Sequence, residues 1–196
     1  MKKLLLCVII VVSAFSVKSQ DIKIMFGIFN RFDDGIESGL GYGINVDFRL
    51  INNLFISTEL SRNSFNKDDG SNKNKFTNIL VGLKYDVSGN KLFGGFALRA
   101  GITLSKLPDY IVTYFIMNYD LGTGLDTKFN PFLGIYFNKA KTVGLLIDAD
   151  VGYRKYKNNY TSSTNISSGN RTSTGSIDKQ FFYITGSVGL FFHLGN

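Results

Sequence analysis

Gln180 to Leu194 reads QFFYITGSVGLFFHL. Ile184, Gly186, Val188, Leu190, Phe192 and Leu194 fall on one face and Tyr183, Thr185, Ser187, Gly189, Phe191 and His193 on the other. That is the period of two a β-strand imposes on its side chains.

The same alternation recurs upstream. Asp21 to Phe32 sets Ile22, Ile24, Phe26 and Ile28 against Lys23, Met25, Gly27 and Phe29, and Asp33-Asp34-Gly35 ends it with turn residues. Gly39 to Leu50 is the clearest case: Leu40, Tyr42, Ile44, Val46, Phe48 and Leu50 oppose Gly41, Gly43, Asn45, Asp47 and Arg49. Leu54 to Arg62, Lys75 to Val87, Lys91 to Ser105, Gly124 to Asn138 and Thr142 to Tyr156 repeat it, with Pro131 an interruption because proline removes a ladder donor. With the C-terminal stretch this predicts about eight strands, the size of the smallest closed membrane barrels. Tight turns at Ile51-Asn52-Asn53, Ser88-Gly89-Asn90 and Asn138 to Lys141 alternate with longer segments. Asn63 to Asn74 and Lys157 to Asp178 read as polar loops, and Lys106 to Thr123, apolar at its centre, as an ordered extension of the flanking hairpin. An even strand number puts both termini at the tight-turn end.

Volume decides which face is outside. A barrel of about eight strands holds packed side chains or one small ligand, and the large apolar residues of most strands would overfill it. The opposite face is glycine-rich and carries Lys23, Arg31, Asp47, Arg49, Glu59, Lys84, Asp86, Arg99, Asp126, Lys128, Asp148, Asp150 and Arg154. Both signs are nearly balanced there, so paired charges can fill a narrow interior. The aliphatic and Phe residues then face lipid, and closure satisfies the backbone where no water is available. The expected fold is all-β, a closed antiparallel up-and-down transmembrane β-barrel over residues 20–196.

Residues 1–19 have the layout of a secretory signal peptide: Lys2 and Lys3, an apolar run from Leu4 to Val12, and small residues ending Ser16-Val17-Lys18-Ser19. Cleavage before Gln20 removes three of the 22 basic residues, leaving 19 against 15 acids, a charge of +4. So small an excess gives no footing for a nucleic-acid partner. Cys7, the single cysteine, lies within the leader, so the mature chain has no disulfide, thiolate metal site or Cys nucleophile.

Ser187, Gly189, Phe192 and Leu194 stand at the polar-x-Gly-x-x-apolar-x-apolar spacing that resembles the C-terminal β-signal of bacterial outer-membrane barrels. The run from Ser38 to Asn66 and the two strands about Ser88-Gly89-Asn90, from Phe76 to Gly101, look like the porin-family or outer-membrane β-barrel proteins of Bacteroidetes-type bacteria. The resemblance implies the outer membrane as location, lipid and lipopolysaccharide as surroundings, and the barrel-assembly machinery as partner of the C-terminal strand. It brings no common catalytic residues.

No catalytic, cofactor-binding or metal-ligating residue is therefore assigned. His193 is the sole histidine, so a Ser-His-Asp or His-metal site must pass through it; it reads instead as an inward polar plug. Asp68-Asp69-Gly70-Ser71-Asn72 lacks the spaced acids and terminal Glu of a calcium loop. The Asn159, Asn165 and Asn170 glycosylation-like triplets follow from a Ser/Thr/Asn-rich composition. What remains is a non-enzymatic barrel with a plugged polar interior that displays residues 63–74, 106–123 and 157–178 for adhesion, envelope integrity or partner binding, with a narrow porin or solute channel as the alternative and a lipid-acting enzyme behind both.

Overall fold

The computed structural model describes residues 20–32, 36–66, 73–107, 109–112, 115–166 and 169–194. The signal-peptide reading of residues 1–19, the Asp33-Asp34-Gly35 turn and the Asp68 to Asn72 stretch lie outside them, as do the side chains of Lys23 and Arg31.

Ten strands follow one another in this description: β1 Gln20–Phe32, β2 Ile36–Ile51, β3 Leu54–Asn66, β4 Lys73–Ser88, β5 Leu92–Lys106, β6 Tyr110–Val112, β7 Phe115–Tyr119, β8 Gly122–Tyr136, β9 Val143–Ile166 and β10 Gly169–Leu194. Eight of them close a ring in the order β1-β2-β3-β4-β5-β8-β9-β10, with β10 returning to β1 through Gln20↔Leu194 to Phe32↔Phe182, all antiparallel. The ring leaves no open edge along its wall. Gln20 and Leu194 lie at the rim that carries the tight turns, where Asn52 takes a left-handed φ of 40° in the bend between β2 and β3. Asparagine is one of the few residues that tolerates that conformation.

Alternation sends the apolar face outward. Leu40 is 71% exposed and Leu125 67%, and Leu60, Val81, Leu83, Leu98, Ile147 and Val188 are exposed beside them, while Asp47, Lys84 and Asp126 are completely buried. A water-soluble domain has the opposite arrangement. On β4 the outward apolar run Ile79, Val81, Leu83, Tyr85, Val87 extends roughly 26 Å along the strand at ~3.3 Å per residue, enough for the apolar band of a tilted transmembrane strand.

Pro131 interrupts only one of its two ladders. Pairing of β8 with β9 has no partners at Asn130 and Pro131, whereas β5 pairs through both, Ala97↔Asn130 and Phe96↔Pro131.

Three segments expected outside the ring differ from the sequence reading in part or in whole. Lys157 to Asp178 is not a loop: β9 and β10 run on beyond the ring as a long hairpin, paired from Lys157↔Asp178 to Asn165↔Asn170 and Ile166↔Gly169. Its Ser/Thr/Asn composition suggested a loop, yet Tyr160, Thr161, Thr164, Thr172, Thr174 and Ile177 are strand formers, and structureless connections of that length are uncommon. Lys106 to Thr123 does not extend the β5–β8 hairpin. It forms the small hairpin β6–β7, whose β7 pairs sideways with the β9 extension from Phe115↔Thr164 to Tyr119↔Tyr160. Of the expected loop from Asn63 to Asn74, β3 takes up residues 63–66 and β4 residues 73–74, and residues 67–72 lie outside the described ones.

Candidate functional site

The interior is built in layers, beginning at the tight-turn rim. Phe93, Phe132, Leu146 and Phe191 pack with Tyr136 across the bore, with Phe93 ring centroids 4.9 Å from Phe191 and 4.6 Å from Tyr136. Glycine makes room for this layer: a Cβ on Gly134 would sit 2.2 Å from the Phe93 ring. Beside these rings Lys84 Nζ meets Asp86 at 2.7 Å, Asp47 at 3.1 Å and Asp21 at 3.5 Å. Its charge also lies over the Phe55 and Phe132 rings, 4.6 and 5.1 Å from their centroids. His193 Nδ1 is 2.6 Å from Asp21, and Ser57 donates to Asp47 at 2.5 Å.

A neutral four-charge network occupies the next level. Lys128 bridges Glu59 at 2.6 Å and Asp150 at 2.9 Å, while Arg99 reaches Glu59 at 3.3 Å and donates to Ser57 at 2.9 Å and Asn130 at 3.2 Å. Higher still, Arg154 donates to one Asp126 oxygen from Nη2 at 2.5 Å and Nε at 3.1 Å, and the Tyr183 hydroxyl donates to the other at 2.7 Å. Arg154 is sandwiched by Phe76 at 4.8 Å and Tyr183 at 4.9 Å. Phe65, Phe76, Leu107, Tyr156, Phe181 and Tyr183 close the far end as a second aromatic layer. Buried charges are tolerable here because each has an opposite partner and hydrogen bonds.

Beyond that layer Asn158, wholly buried, ties the hairpin extension to the ring. Its amide donates to the Ser105 and Asp120 carbonyls at 3.1 and 2.9 Å, and Ser105 donates to its oxygen at 2.6 Å. Tyr119, outside the ring, has its phenol pushed above the ordinary value by partial burial and then by the neighbouring Tyr160.

Cavities between the layers are small. One beside Gly27, Gly41, Gly43, Glu59, Lys128 and Asp150 has about 30 Å³, the room of a water molecule or two. A mouth of about 230 Å³ opens at the tight-turn rim, with Asp21, Arg49, Asp86, Tyr136 and His193 in its wall. Among the described residues no group of His, Cys, Asp or Glu has the geometry of a metal site.

Most inward charges expected from the sequence therefore meet. Asp47, Glu59, Lys84, Asp86, Arg99, Asp126, Lys128, Asp150 and Arg154 are buried in the networks above. Asp148 is half-buried and accepts from Ser187 at 2.5 Å. Arg49 departs from them: it is exposed at the rim, its guanidinium 5.4 Å from the Phe55 ring. Among the described residues, His193 has Asp21 as its side-chain partner and no hydroxyl bonded to it. Asn159 is exposed on β9, and the side chains of Asn165 and Asn170 lie outside the described residues.

No protein-family model and no curated protein matches the chain. Solved structures do. Neisserial surface protein A (NspA) superposes with a TM-score of 0.57 at 14% identity over 88% of this chain and 96% of that one. The chain folds as an outer-membrane β-barrel. The outer membrane protein OprG of Pseudomonas aeruginosa follows at 0.53, with 10% identity over 92% and 98% of the two chains. The outer membrane protease OmpT of Escherichia coli gives 0.52, with 9% identity over 91% and 98%. At these identities the likeness is one of fold, and a protease among the neighbours means that the barrel by itself does not decide between enzyme and non-enzyme.

Reading the barrel from sequence missed its two aromatic layers. Phe55, Phe93, Phe132, Phe181 and Phe191 are buried in the bore, on the face expected to hold glycine and ions. The signal was their parity: Phe191 alternates with Gly189 and Ser187, and Phe93 with Gly95.

Proposed function

We propose that the protein is a non-enzymatic integral outer-membrane protein with a plugged bore, whose work is done by the structure it displays beyond the membrane. The observation that carries this is the layered filling of the interior: aromatic packing at both ends and ion-paired levels between them, with water-sized space beside Asp150. The tight-turn rim with Gln20 and Leu194 is the periplasmic end, where the assembly machinery reads the C-terminal strand after export and removal of residues 1–19. The β9–β10 hairpin with β6–β7 at its side is the external platform. Its exposed polar face, including Asn118, Asn159, Thr172 and Thr174, suits adhesion or partner binding by hydrogen bonds.

Planar-bilayer recording tests the plug. The expected result is no stable ionic conductance from the purified barrel in lipid; a persistent large conductance would replace this reading by that of a channel. Protease treatment of intact cells tests the platform, since cleavage near residues 155–180 only after rupture of the outer membrane would reverse the orientation.

A further inference from the structure

The lipid-facing wall carries an unbalanced cationic cluster at one place. Lys75 and Lys106 are direct cross-strand partners on β4 and β5, and both are exposed. Arg62 on β3, paired with Thr77, lies diagonally from Lys75, whose own partner on that side is Ser64. Like charges placed opposite each other in a ladder repel, and none of the three forms an ion pair with a described residue. Among the described residues, other exposed basic side chains at that height differ: Lys155 is 3.8 Å from Asp178, which is also the cross-strand partner of Lys157.

Height and surroundings point to the ligand. Lys75 stands four residues above Ile79, the top of the apolar run on β4, roughly 13 Å along the strand, which is the headgroup zone rather than the hydrocarbon. A groove of about 570 Å³ on this wall is lined by Ile28, Leu40, Tyr42, Arg62 and Lys75. Ile28, Leu40 and Tyr42 are exposed, so the groove is apolar on one flank and cationic on the other. An amphiphile with acyl chains and an anionic head matches both flanks, and clustered Arg and Lys favour phosphate, which arginine binds through two oxygens at once.

We propose that Arg62, Lys75 and Lys106 form a binding site for the phosphate of a membrane-embedded anionic phospholipid, with its acyl chains along Ile28 and Leu40. The inference rests on the membrane-protein reading above. It adds to that reading one lipid position on the wall.

Native mass spectrometry of the detergent-purified full chain tests it, using phosphatidic acid as probe and phosphatidylcholine and inorganic phosphate as comparisons. Wild-type protein is expected to retain phosphatidic acid at least tenfold more than the R62Q/K75Q/K106Q variant, and K75R/K106R to retain it like wild type. K155Q/K157Q, altered where an acid already balances the charge, keeps wild-type retention. Heat-modifiable gel migration confirms that each variant is folded. Equal retention by wild type and R62Q/K75Q/K106Q would overturn the site, as would equal retention of phosphatidylcholine. Displacement of the lipid by millimolar inorganic phosphate would also overturn it, by showing an anion site with no acyl component. Should the chain fail to enter detergent or bilayer at all, the membrane reading falls; a barrel that inserts and shows no preference removes this site alone.

Discussion

Replacing Arg154 by methionine is the sharpest perturbation of the interior. Arg154 is 1% exposed, makes two charge-assisted hydrogen bonds to Asp126 and lies between the Phe76 and Tyr183 rings. Removing one member of a buried pair costs about 3–5 kcal/mol because the remaining charge is stranded, and the cation–π contacts add at least roughly 1 kcal/mol. Methionine refills part of the volume, and Tyr183 still donates to Asp126, so the expected loss is about 4 kcal/mol, close to a thousandfold in the unfolding constant. Neutralising Asp126 as well removes the stranded charge. The double variant R154M/D126N is therefore expected to recover at least about 2 kcal/mol relative to the sum of the single losses, the coupling of a buried pair. Because the chain has no tryptophan, urea unfolding from lipid vesicles is followed by far-ultraviolet circular dichroism and by gel migration. A loss below about 1 kcal/mol in R154M, or coupling under about 0.5 kcal/mol, would refute the claim that these charges hold the bore together.

Two further outcomes follow from packing and pairing. Gly152→Val would place its Cβ 2.3 Å from the Tyr183 ring, and overpacking of this kind costs about 1–3 kcal/mol; vesicle unfolding that matches wild type would show that the ring moves freely. Hydrogen exchange should find alternate amides of residues 157–164 and 171–178 protected, those whose N–H points across the β9–β10 ladder, and exchange of all of them at the rate of an unstructured peptide would restore the loop reading of this stretch.

Period-two alternation was enough to recover the ring, since one wall of each strand meets lipid and the other a confined bore, and a slip of one residue would exchange them. The buried ionic levels were legible for the same reason: Lys84, Arg99, Asp126 and Arg154 have the parity of the neighbouring glycines. Parity also put Phe191 on the bore side, but that it and Phe93 meet as a layer was not legible, because only the cross-strand register sets Gly134 opposite Phe93 and Gly144 opposite Phe191. Beyond the membrane the alternation loses its contrast. Ser, Thr and Asn on both faces of residues 157–178 carry no inside or outside, so composition suggested a loop where backbone pairing makes strands. For β6–β7 the signal failed in the opposite way: Tyr110 to Tyr119 is apolar on either parity, and its partner in β9 lies too far along the chain for local pattern to find.

The assignment of inside and outside is tested most directly by single-cysteine spin labels along β4, introduced into a chain of residues 20–196, which contain no cysteine of their own. With the barrel in lipid bilayers, labels at Ile79, Val81, Leu83 and Tyr85 should relax with membrane-dissolved oxygen, and labels at Asn78, Leu80, Gly82 and Asp86 should not, giving a period of two. The reverse phase, or relaxation of Val81 and Leu83 by a water-soluble nickel complex alone, would contradict it.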